Sequence, residues 1–114
     1  MVSDINLKEL LLWLLGKRKR FRITGNSMLP LLKPGEEVLI DPNIYQKQLP
    51  KVGEIVVAQH PTQKDLQLIK RVASIRDNGS CLLLGDNPTA STDSRQFGEV
   101  PLCLIQGQVT CRFG

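Results

Sequence analysis

The sequence predicts a single, mainly β domain preceded by one short helix. The chain has 114 residues, 41% of them hydrophobic, which suits one small domain with its own core. Beyond Arg22, short apolar runs are separated by turn-forming pairs such as Pro34–Gly35 and Asn78–Gly79. Helical spacing of apolar residues occurs before that point. We therefore divide the chain into an N-terminal amphipathic helix with a basic segment, residues 1–22, and a β domain, residues 23–114.

The N-terminal helix is predicted from about Leu7 to Leu15. Asn6 is a typical N-cap residue, and Glu9 stands where a reciprocal cap would place it. Gly16 can end the helix. Four leucines recur at helical spacing: Leu7, Leu10, Leu11 and Leu14. We expect this helix to pack on the domain, with attachment to the surface of a membrane as the alternative.

The leucine run is too short to span a bilayer. A helix of this length would be about 14 Å long, and the hydrocarbon core is about 30 Å thick. The basic cluster follows the apolar run, which is not the arrangement of a cleavable signal peptide. We therefore expect a cytoplasmic location, with peripheral contact to a membrane as the alternative.

Charge and composition narrow the choice of partners. The net charge is +4, and much of the excess lies in residues 17–22 (KRKRFR). Such a run usually forms a solvated face, and a membrane surface or an acidic partner is the alternative. Nucleic acid is disfavoured, because neither interleaved aromatic residues nor a DNA-reading helix accompanies the charges.

No cofactor or metal is expected. The cysteines are odd in number and form no CxxC pair, which argues against a disulfide framework and a zinc site. Buried free thiols in a reducing compartment are the simplest interpretation of Cys81, Cys103 and Cys111. His60 is the only histidine, so a cluster of metal ligands has little to draw on.

The β domain is built from short strands in chain order. Strands are predicted at residues 37–41, 55–58, 66–76 and 80–84, and residues 100–113 supply one or two closing strands. If Asn78 and Gly79 form a two-residue hairpin loop, Lys70 falls opposite Asn87. A one-residue bulge would shift this register. Ser91 follows closely, so a bend could bring its hydroxyl to the lysine amine.

Lys70 is a candidate general base. Strand alternation places it on one face with Leu66, Leu68 and Val72. An amine among apolar neighbours loses hydration, which favours its neutral form, and a neutral amine can take a proton from a hydroxyl near pH 7. A lysine that snorkels from a half-buried strand is the alternative interpretation.

Ser27 is a candidate nucleophile. Gly25 gives the backbone freedom just before it, and Pro30 stiffens the segment that follows. A helix cap or a turn is the common role for such a serine. Met28 fits either a place near the substrate or a place in the core.

Three segments, in this order, resemble the signal peptidase I family of serine proteases: residues 25–30 (GNSMLP), 68–72 (LIKRV) and 85–95 (GDNPTASTDSR). The resemblance covers about Thr24 to Gly107 and implies that residues 23–114 are a signal peptidase-like catalytic β domain. It implies that Ser27 is the nucleophile, that Lys70 is the base and that the Ser91 hydroxyl bonds the lysine amine.

The same resemblance implies supporting roles for further residues. Gly25 stands where some members carry a serine that helps to bind the oxyanion, and other members have glycine there. Asp86, Asp93 and Arg95 match positions that stabilise the site, and Arg71 can join them in a salt-bridged scaffold. Eukaryotic-type members use a histidine in place of the lysine, but Lys70 occupies the matching position, so catalysis by His60 is disfavoured.

The subgroup of the family is predicted from the short segment between Lys70 and Gly85. Only about fourteen residues separate Lys70 from Gly85, where larger signal peptidases insert a second domain. This chain is therefore most similar to the small nickel-type superoxide dismutase maturation proteases, which implies removal of an N-terminal extension from that precursor polypeptide. The alternatives are a compact membrane-associated signal peptidase or inner-membrane peptidase, the self-cleaving domain of an SOS-type repressor, and a non-catalytic peptide-binding relative.

Overall fold

A computed structural model describes residues 2–87 and 94–113. Within these residues, helix α1 spans Leu7–Leu14 and a short helix α2 spans Ser94–Phe97. Six strands follow in chain order: β1 (Lys19–Arg22), β2 (Glu37–Asp41), β3 (Ile55–Gln59), β4 (Gln67–Ile75), β5 (Cys81–Leu84) and β6 (Ile105–Arg112). They form one curled antiparallel sheet in the order β1-β2-β6-β3-β4-β5. The predicted mainly β fold with a short N-terminal helix is confirmed.

The first strand lies inside the basic segment, where no strand was expected. Residues of β1 pair with β2 in antiparallel register, with Arg20 opposite Leu39 and Phe21 opposite Val38. Phe21 packs against the core, whereas the basic side chains of β1 are exposed. One apolar residue among four is too weak a pattern to predict a strand, and pairing with the apolar β2 is what stabilises it.

The sheet buries apolar side chains on both of its faces. Strand β3 contributes to both, which explains its uninterrupted apolar sequence. One core cluster contains Ile23, Met28, Leu32, Val38, Ile40, Ile55, Val57, Ile69 and Val109. The second contains Val56, Ala58, Val72, Cys81, Leu83, Val100 and Ile105. The two clusters fix β3 and β4 at the centre of the molecule.

The N-terminal helix forms where the sequence predicts it. The Asn6 side chain accepts a hydrogen bond from the backbone N–H of Glu9 at 2.9 Å and caps the first turn. The prediction that the Glu9 side chain caps the Asn6 backbone N–H in return is wrong. The Glu9 carboxylate is buried instead, and it accepts hydrogen bonds from the Arg18 guanidinium at 3.0 Å and from the Thr110 hydroxyl.

Helix α1 packs on the domain as expected, but three of the four leucines that predict its apolar face are exposed. Trp13 packs edge-on against Phe113, with the ring centroids 4.9 Å apart. The side chains of Leu7, Leu11 and Leu14 point away from the sheet and are exposed. The predicted apolar face of the helix, apart from the half-buried Leu10, therefore lies on its outer side.

The hairpin between β4 and β5 has a three-residue loop instead of the predicted two-residue loop. The backbone N–H of Arg76 donates to the Ser80 carbonyl at 2.9 Å, and that of Gly79 donates to the Arg76 carbonyl at 2.9 Å. Gly79 has a φ of 89°, which suits the left-handed position that closes such a loop. The extra loop residue shifts the strand pairing by one.

A second shift occurs within the paired strands. Ser74 pairs with Leu82, but Val72 pairs with Leu83, so a bulge lies between them. The last recorded pair is Arg71 with Leu84. The predicted pairing of Lys70 with Asn87 is therefore wrong, because continuation of this register places Lys70 opposite Gly85.

Candidate active site

Ser27 and Lys70 line the same cavity, which has a volume of about 180 Å³. Residues 24–27, which follow β1, form one wall. Residues 66–70, at the start of β4, form the other, and Phe21 lies at one end. The curl of the sheet brings these two segments together, although they are far apart in the chain.

Lys70 is buried on the sheet, with 3% of its surface exposed. It pairs with Val56 on β3, so the two side chains emerge on the same face. Val56 and Val72 both belong to the second core cluster. The predicted apolar surroundings of the amine therefore extend over β3 as well as over β4. Leu66 was expected on the same face, but it precedes β4 and is 40% exposed.

Ser27 lies on a turn that the core holds in place. The next residue, Met28, is 1% exposed and belongs to the first core cluster. Its carbonyl accepts a hydrogen bond from the Leu32 N–H at 2.9 Å, and the Asn26 carbonyl accepts one from the Leu29 N–H at 3.2 Å. Ser27 itself is only half-buried. Met28 therefore acts as the core anchor of a turn that presents Ser27 to the cavity.

Gly25 has a left-handed backbone conformation, with φ at 75°. A Cβ atom at this position would meet no atom within 4 Å. Glycine is therefore favoured here by the backbone angle and not by lack of space. The freedom that the sequence suggested for this position is used to turn the chain toward Ser27.

Asn87 joins the third motif to the Ser27 turn. Its backbone N–H donates to the Ser27 carbonyl at 2.8 Å, and its Nδ2 donates to the Asn26 carbonyl at 3.0 Å. The sequence placed Asn87 opposite Lys70 and missed this contact. It depends on the curl of the whole sheet, which no local pattern encodes.

Asp86 is fixed by an ion pair with Arg71. The guanidinium donates two hydrogen bonds, from Nε to Oδ1 at 2.9 Å and from Nη2 to Oδ2 at 2.8 Å. Its third bond goes to the Gly53 carbonyl at 2.8 Å. Since Arg71 follows Lys70 on β4, this bidentate pair holds the start of the third motif beside the candidate base.

The rest of the third motif is only partly visible. Ser91 and Asp93 lie outside the described residues, and Arg95 is an exposed residue of α2. Ser94, which sequence reasoning did not single out, is buried, and its Oγ accepts a hydrogen bond from the Leu83 N–H at 2.8 Å. Ser94 thereby ties the far end of this motif to β5.

His60 is a buried structural residue at the end of β3. Its Nδ1 accepts hydrogen bonds from the backbone N–H groups of Thr62 and Gln63, both at 3.1 Å. The ring packs edge-on against Phe97 of α2 at 4.8 Å. Within the described residues, His60 lies outside the walls of the Ser27 cavity.

None of the three cysteines lines the Ser27 cavity. Cys81 and Cys111 are buried as expected, but Cys103 is exposed. Burial raises the pKa of the Cys81 and Cys111 thiols, which suits inert core residues. Among the described residues, no group of three or more His, Cys, Asp or Glu side chains is placed to hold a metal ion.

The described residues form a small, mainly β domain in which one cavity carries a serine and a lysine. Comparison with known families makes the assignment specific. Residues 10–76 match the family described as signal peptidase, peptidase S26. The match covers more than half of the chain, and the chain belongs to this family of peptidases.

Individual relatives point to one branch of that family. The chain is 33% identical, over 110 residues, to the mitochondrial ATP-independent inner membrane protease subunit 1b of Arabidopsis thaliana, with 77% of this chain and 65% of the relative covered. It is 29% identical, over 108 residues, to the mitochondrial inner membrane protease subunit 1 of Xenopus tropicalis, with coverages of 78% and 65%. For the protein of that name in Schizosaccharomyces pombe, the identity is 28% over 108 residues, with coverages of 78% and 69%. The chain thus spans about two thirds of the length of these relatives, and 65% of the first two.

These relatives correct two expectations. A cytoplasmic location was expected and is contradicted, because the relatives are named as inner-membrane protease subunits. The expectation was based on the length of the leucine run and on the position of the basic cluster, and neither decides whether the helix contacts the surface of a bilayer. The names also favour the inner-membrane peptidase alternative over the nickel-dismutase maturation protease. Within the described residues, no helix is long and apolar enough to pass through a bilayer.

Proposed function

We propose that this chain is a serine endopeptidase in which Ser27 is acylated by the substrate and Lys70 is the general base. The observation that carries the proposal is that both residues line one small cavity. One wall supplies a half-buried hydroxyl and the other supplies a buried amine. These are the two groups that a serine–lysine hydrolase needs.

The burial of Lys70 supports its role as a base. Removing an amine from water disfavours its charged form, so the apolar neighbours Val56 and Val72 favour the neutral amine. A neutral amine takes the proton of the Ser27 hydroxyl as the oxygen attacks the scissile carbonyl. The same proton then passes to the leaving amine as the peptide bond breaks. Water, activated in the same way, hydrolyses the acyl-enzyme and restores Ser27.

The backbone around Ser27 supports oxyanion binding. The Asn26 carbonyl shares a peptide plane with the Ser27 N–H, and it accepts hydrogen bonds from Asn87 Nδ2 at 3.0 Å and from the Leu29 N–H at 3.2 Å. The backbone N–H of Ser27 is the proposed donor to the developing oxyanion. Gly25 supplies the turn that aims this segment at the cavity, in place of the serine found in some family members.

The strand pairing supports an extended substrate. In the described part of the chain, β4 pairs with β3 from Gln67 onward but with β5 only from Arg71 onward. The backbone of residues 67–69 therefore offers an edge along which a peptide can add as a strand. A neighbouring cavity of about 540 Å³ shares Phe21 and Gln67 with the first, so the peptide has room to continue.

The remaining motif residues have supporting roles in this proposal. Ser91 holds the lysine amine through its hydroxyl, while Asp93 and Arg95 stabilise the loop that carries it. The Arg71–Asp86 pair fixes the start of that loop on β4. Met28 anchors the Ser27 turn in the core.

The proposed substrate is a precursor polypeptide cleaved at a membrane, in line with the names of the inner-membrane relatives. No observation favours a nickel-type superoxide dismutase precursor. A non-catalytic peptide-binding subunit is the competing function, since the relatives are named as subunits.

The proposal is tested with a proteome-derived peptide library whose cleavage is followed by mass spectrometry. Wild type should cleave selected peptides, with activity that rises with pH as the amine loses its proton. Ser27→Ala should be inactive, and Lys70→Arg should fail because a guanidinium stays protonated. Ser3→Ala and Lys64→Arg, at exposed positions outside the cavity, are the matched controls and should be active. A folded wild type that cleaves nothing would favour the non-catalytic alternative.

A further inference from the structure

The face of α1 that points away from the sheet is apolar. Leu7, Leu11 and Leu14 are 71%, 50% and 66% exposed, and Leu15, directly after the helix, is 70% exposed. Their spacing places them on one side of the helix, and we name them the outer leucine face. They are four of the seven large hydrophobic side chains that are exposed in the described residues. The exposed apolar surface is therefore concentrated on this helix.

The contacts on the inner side of α1 keep the outer leucine face pointing outward. The buried Glu9 carboxylate is bound by Arg18 and by the Thr110 hydroxyl. Trp13 packs on Phe113, and the Arg20 guanidinium lies 4.4 Å from the centroid of the Phe113 ring. Rotation of the helix to bury its leucines would break these contacts and expose the Glu9 and Trp13 side chains to water. The apolar face is thus a fixed feature of the folded domain.

Exposed positive charges lie on α1 and directly after it in the chain. Lys8 is exposed on α1 itself, and Lys17 and Lys19 are exposed just after it. Among the described residues, none of these three lysines has an acidic side chain within salt-bridge distance, whereas Arg18 and Arg20 are paired with Glu9 and Glu37. The helix and the residues directly after it therefore combine exposed leucines with three exposed lysines that form no salt bridge within the described residues.

We propose that the outer leucine face docks α1 in the plane of an anionic phospholipid membrane. Leucines on one side of a helix with lysines beside them are the composition of interfacial helices, whose apolar face enters the boundary between headgroups and acyl chains. Each lysine near an anionic surface adds to the attraction. The proposal names the surface by which the membrane-associated peptidase proposed above reaches its bilayer.

A second copy of the chain fits this surface less well. An eight-residue helix is about 12 Å long, and its face is small beside the roughly 1,200–2,000 Å² that a stable protein interface buries. Pairing of two copies through this face would also bring Lys8, Lys17 and Lys19 toward their own counterparts. A bilayer with anionic headgroups has neither limit.

Vesicle flotation of the full chain tests the proposal. Wild type should float with phosphatidylcholine vesicles that contain phosphatidylserine, and bind pure phosphatidylcholine vesicles more weakly. The Leu11→Ser/Leu14→Ser variant should bind vesicles at least about tenfold more weakly than wild type, because its apolar contact with the membrane is reduced. The matched control is Leu49→Ser/Val52→Ser, which removes two exposed apolar side chains elsewhere and should bind as wild type. Lys8→Gln/Lys17→Gln/Lys19→Gln should lower binding to the anionic vesicles alone.

Three outcomes would overturn the proposal. The first is equal binding by the leucine variant and its control. The second is binding that depends only on the lysines and vanishes at about 1 M salt, where the Debye length is about 3 Å. The third is a dimer in sedimentation analysis that the leucine variant abolishes, without vesicle binding by wild type. Cleavage of a soluble peptide by the same variants separates this proposal from the peptidase proposal, since Leu11 and Leu14 lie outside the Ser27 cavity.

Discussion

The Asn87 backbone N–H donates to the Ser27 carbonyl at 2.8 Å, and this bond connects two motifs that lie far apart in the sequence. The Asn87 side chain strengthens the same connection by donating to the Asn26 carbonyl at 3.0 Å. The turn that carries the proposed nucleophile is thus held from outside by the segment that follows β5. Displacement of that segment would change the orientation of Ser27.

Asn87→Ala should lower kcat/KM by about tenfold while leaving the fold intact. The substitution removes the side-chain bond to Asn26, and a hydrogen bond of this kind contributes about 0.5–1.5 kcal/mol, close to a factor of ten in rate at its upper end. Peptide cleavage and thermal unfolding are measured together. Gln48→Ala, at an exposed position, is the control. Wild-type kcat/KM in Asn87→Ala would show that the Ser27 turn does not depend on this contact.

Gly25→Ala should lower both stability and activity. An alanine at a φ of 75° is strained by roughly 1–2 kcal/mol, although no atom lies within 4 Å of its Cβ. Gly98→Ala is a close control, because Gly98 has a φ of 79° and equally open space. Chemical denaturation should show similar losses of unfolding free energy in the two variants. Only Gly25→Ala should also lose peptide cleavage, and equal activities would contradict the role of Gly25 in aiming Ser27.

Ser91→Ala should lower activity less than Lys70→Ala. In the proposed mechanism Ser91 orients the amine, whereas Lys70 carries the proton, and loss of a general base costs about 10²–10⁴-fold. Single-turnover cleavage of one peptide by both variants provides the comparison. A folded Ser91→Ala variant that is as inactive as Lys70→Ala would give Ser91 a more direct part in the chemistry.

The packing of α1 on the sheet should weaken at acid pH. Burial would raise the pKa of Glu9, but hydrogen bonds from Arg18 and Thr110 and the charges of Arg18 and Lys8 outweigh it, so the pKa lies below 4.5. A lowered pKa contributes stability that is present above the unfolded value near 4.5 and is lost as the pH falls through the folded value.

The fluorescence of Trp13, the only tryptophan, reports the packing of α1 on the sheet as the pH falls below about 4.5. Glu9→Gln should be less stable than wild type at neutral pH. Its stability should also change less than that of wild type as the pH falls below about 4.5. An acid transition of wild-type size in Glu9→Gln would assign the effect to other groups.

Local patterns were enough to predict most elements of the fold. The Asn6 cap and the leucine spacing locate α1, and the apolar run at residues 55–58 predicts the strand that the structure shows as β3. The inward position of Glu9 was not predictable, because its partners Arg18 and Thr110 are brought to it only by the folded sheet. The register of β4 and β5 was missed because Gly79 lengthens the loop and a bulge follows.

The candidate site was predictable as a set of motifs but not as a geometry. The order of the three segments pointed to Ser27 and Lys70, and the structure places both on one cavity. The bond of Asn87 to the Ser27 turn and the bond of Ser94 to β5 were missed. Both bonds involve residues outside the strands that come together only in the folded domain, and a single sequence carries no local signal for such contacts.

In the proposed mechanism Ser27 forms an acyl-enzyme with Lys70 as the base, and this intermediate can be trapped. Wild type is mixed with an ester analogue of its best-cleaved peptide, quenched in acid during the first turnover and analysed by intact mass and peptide mapping. We expect an acyl adduct on Ser27 in wild type, none in Ser27→Ala, and much slower formation in Lys70→Arg. An adduct on another residue, or sustained cleavage by purified Ser27→Ala, would contradict the proposed mechanism.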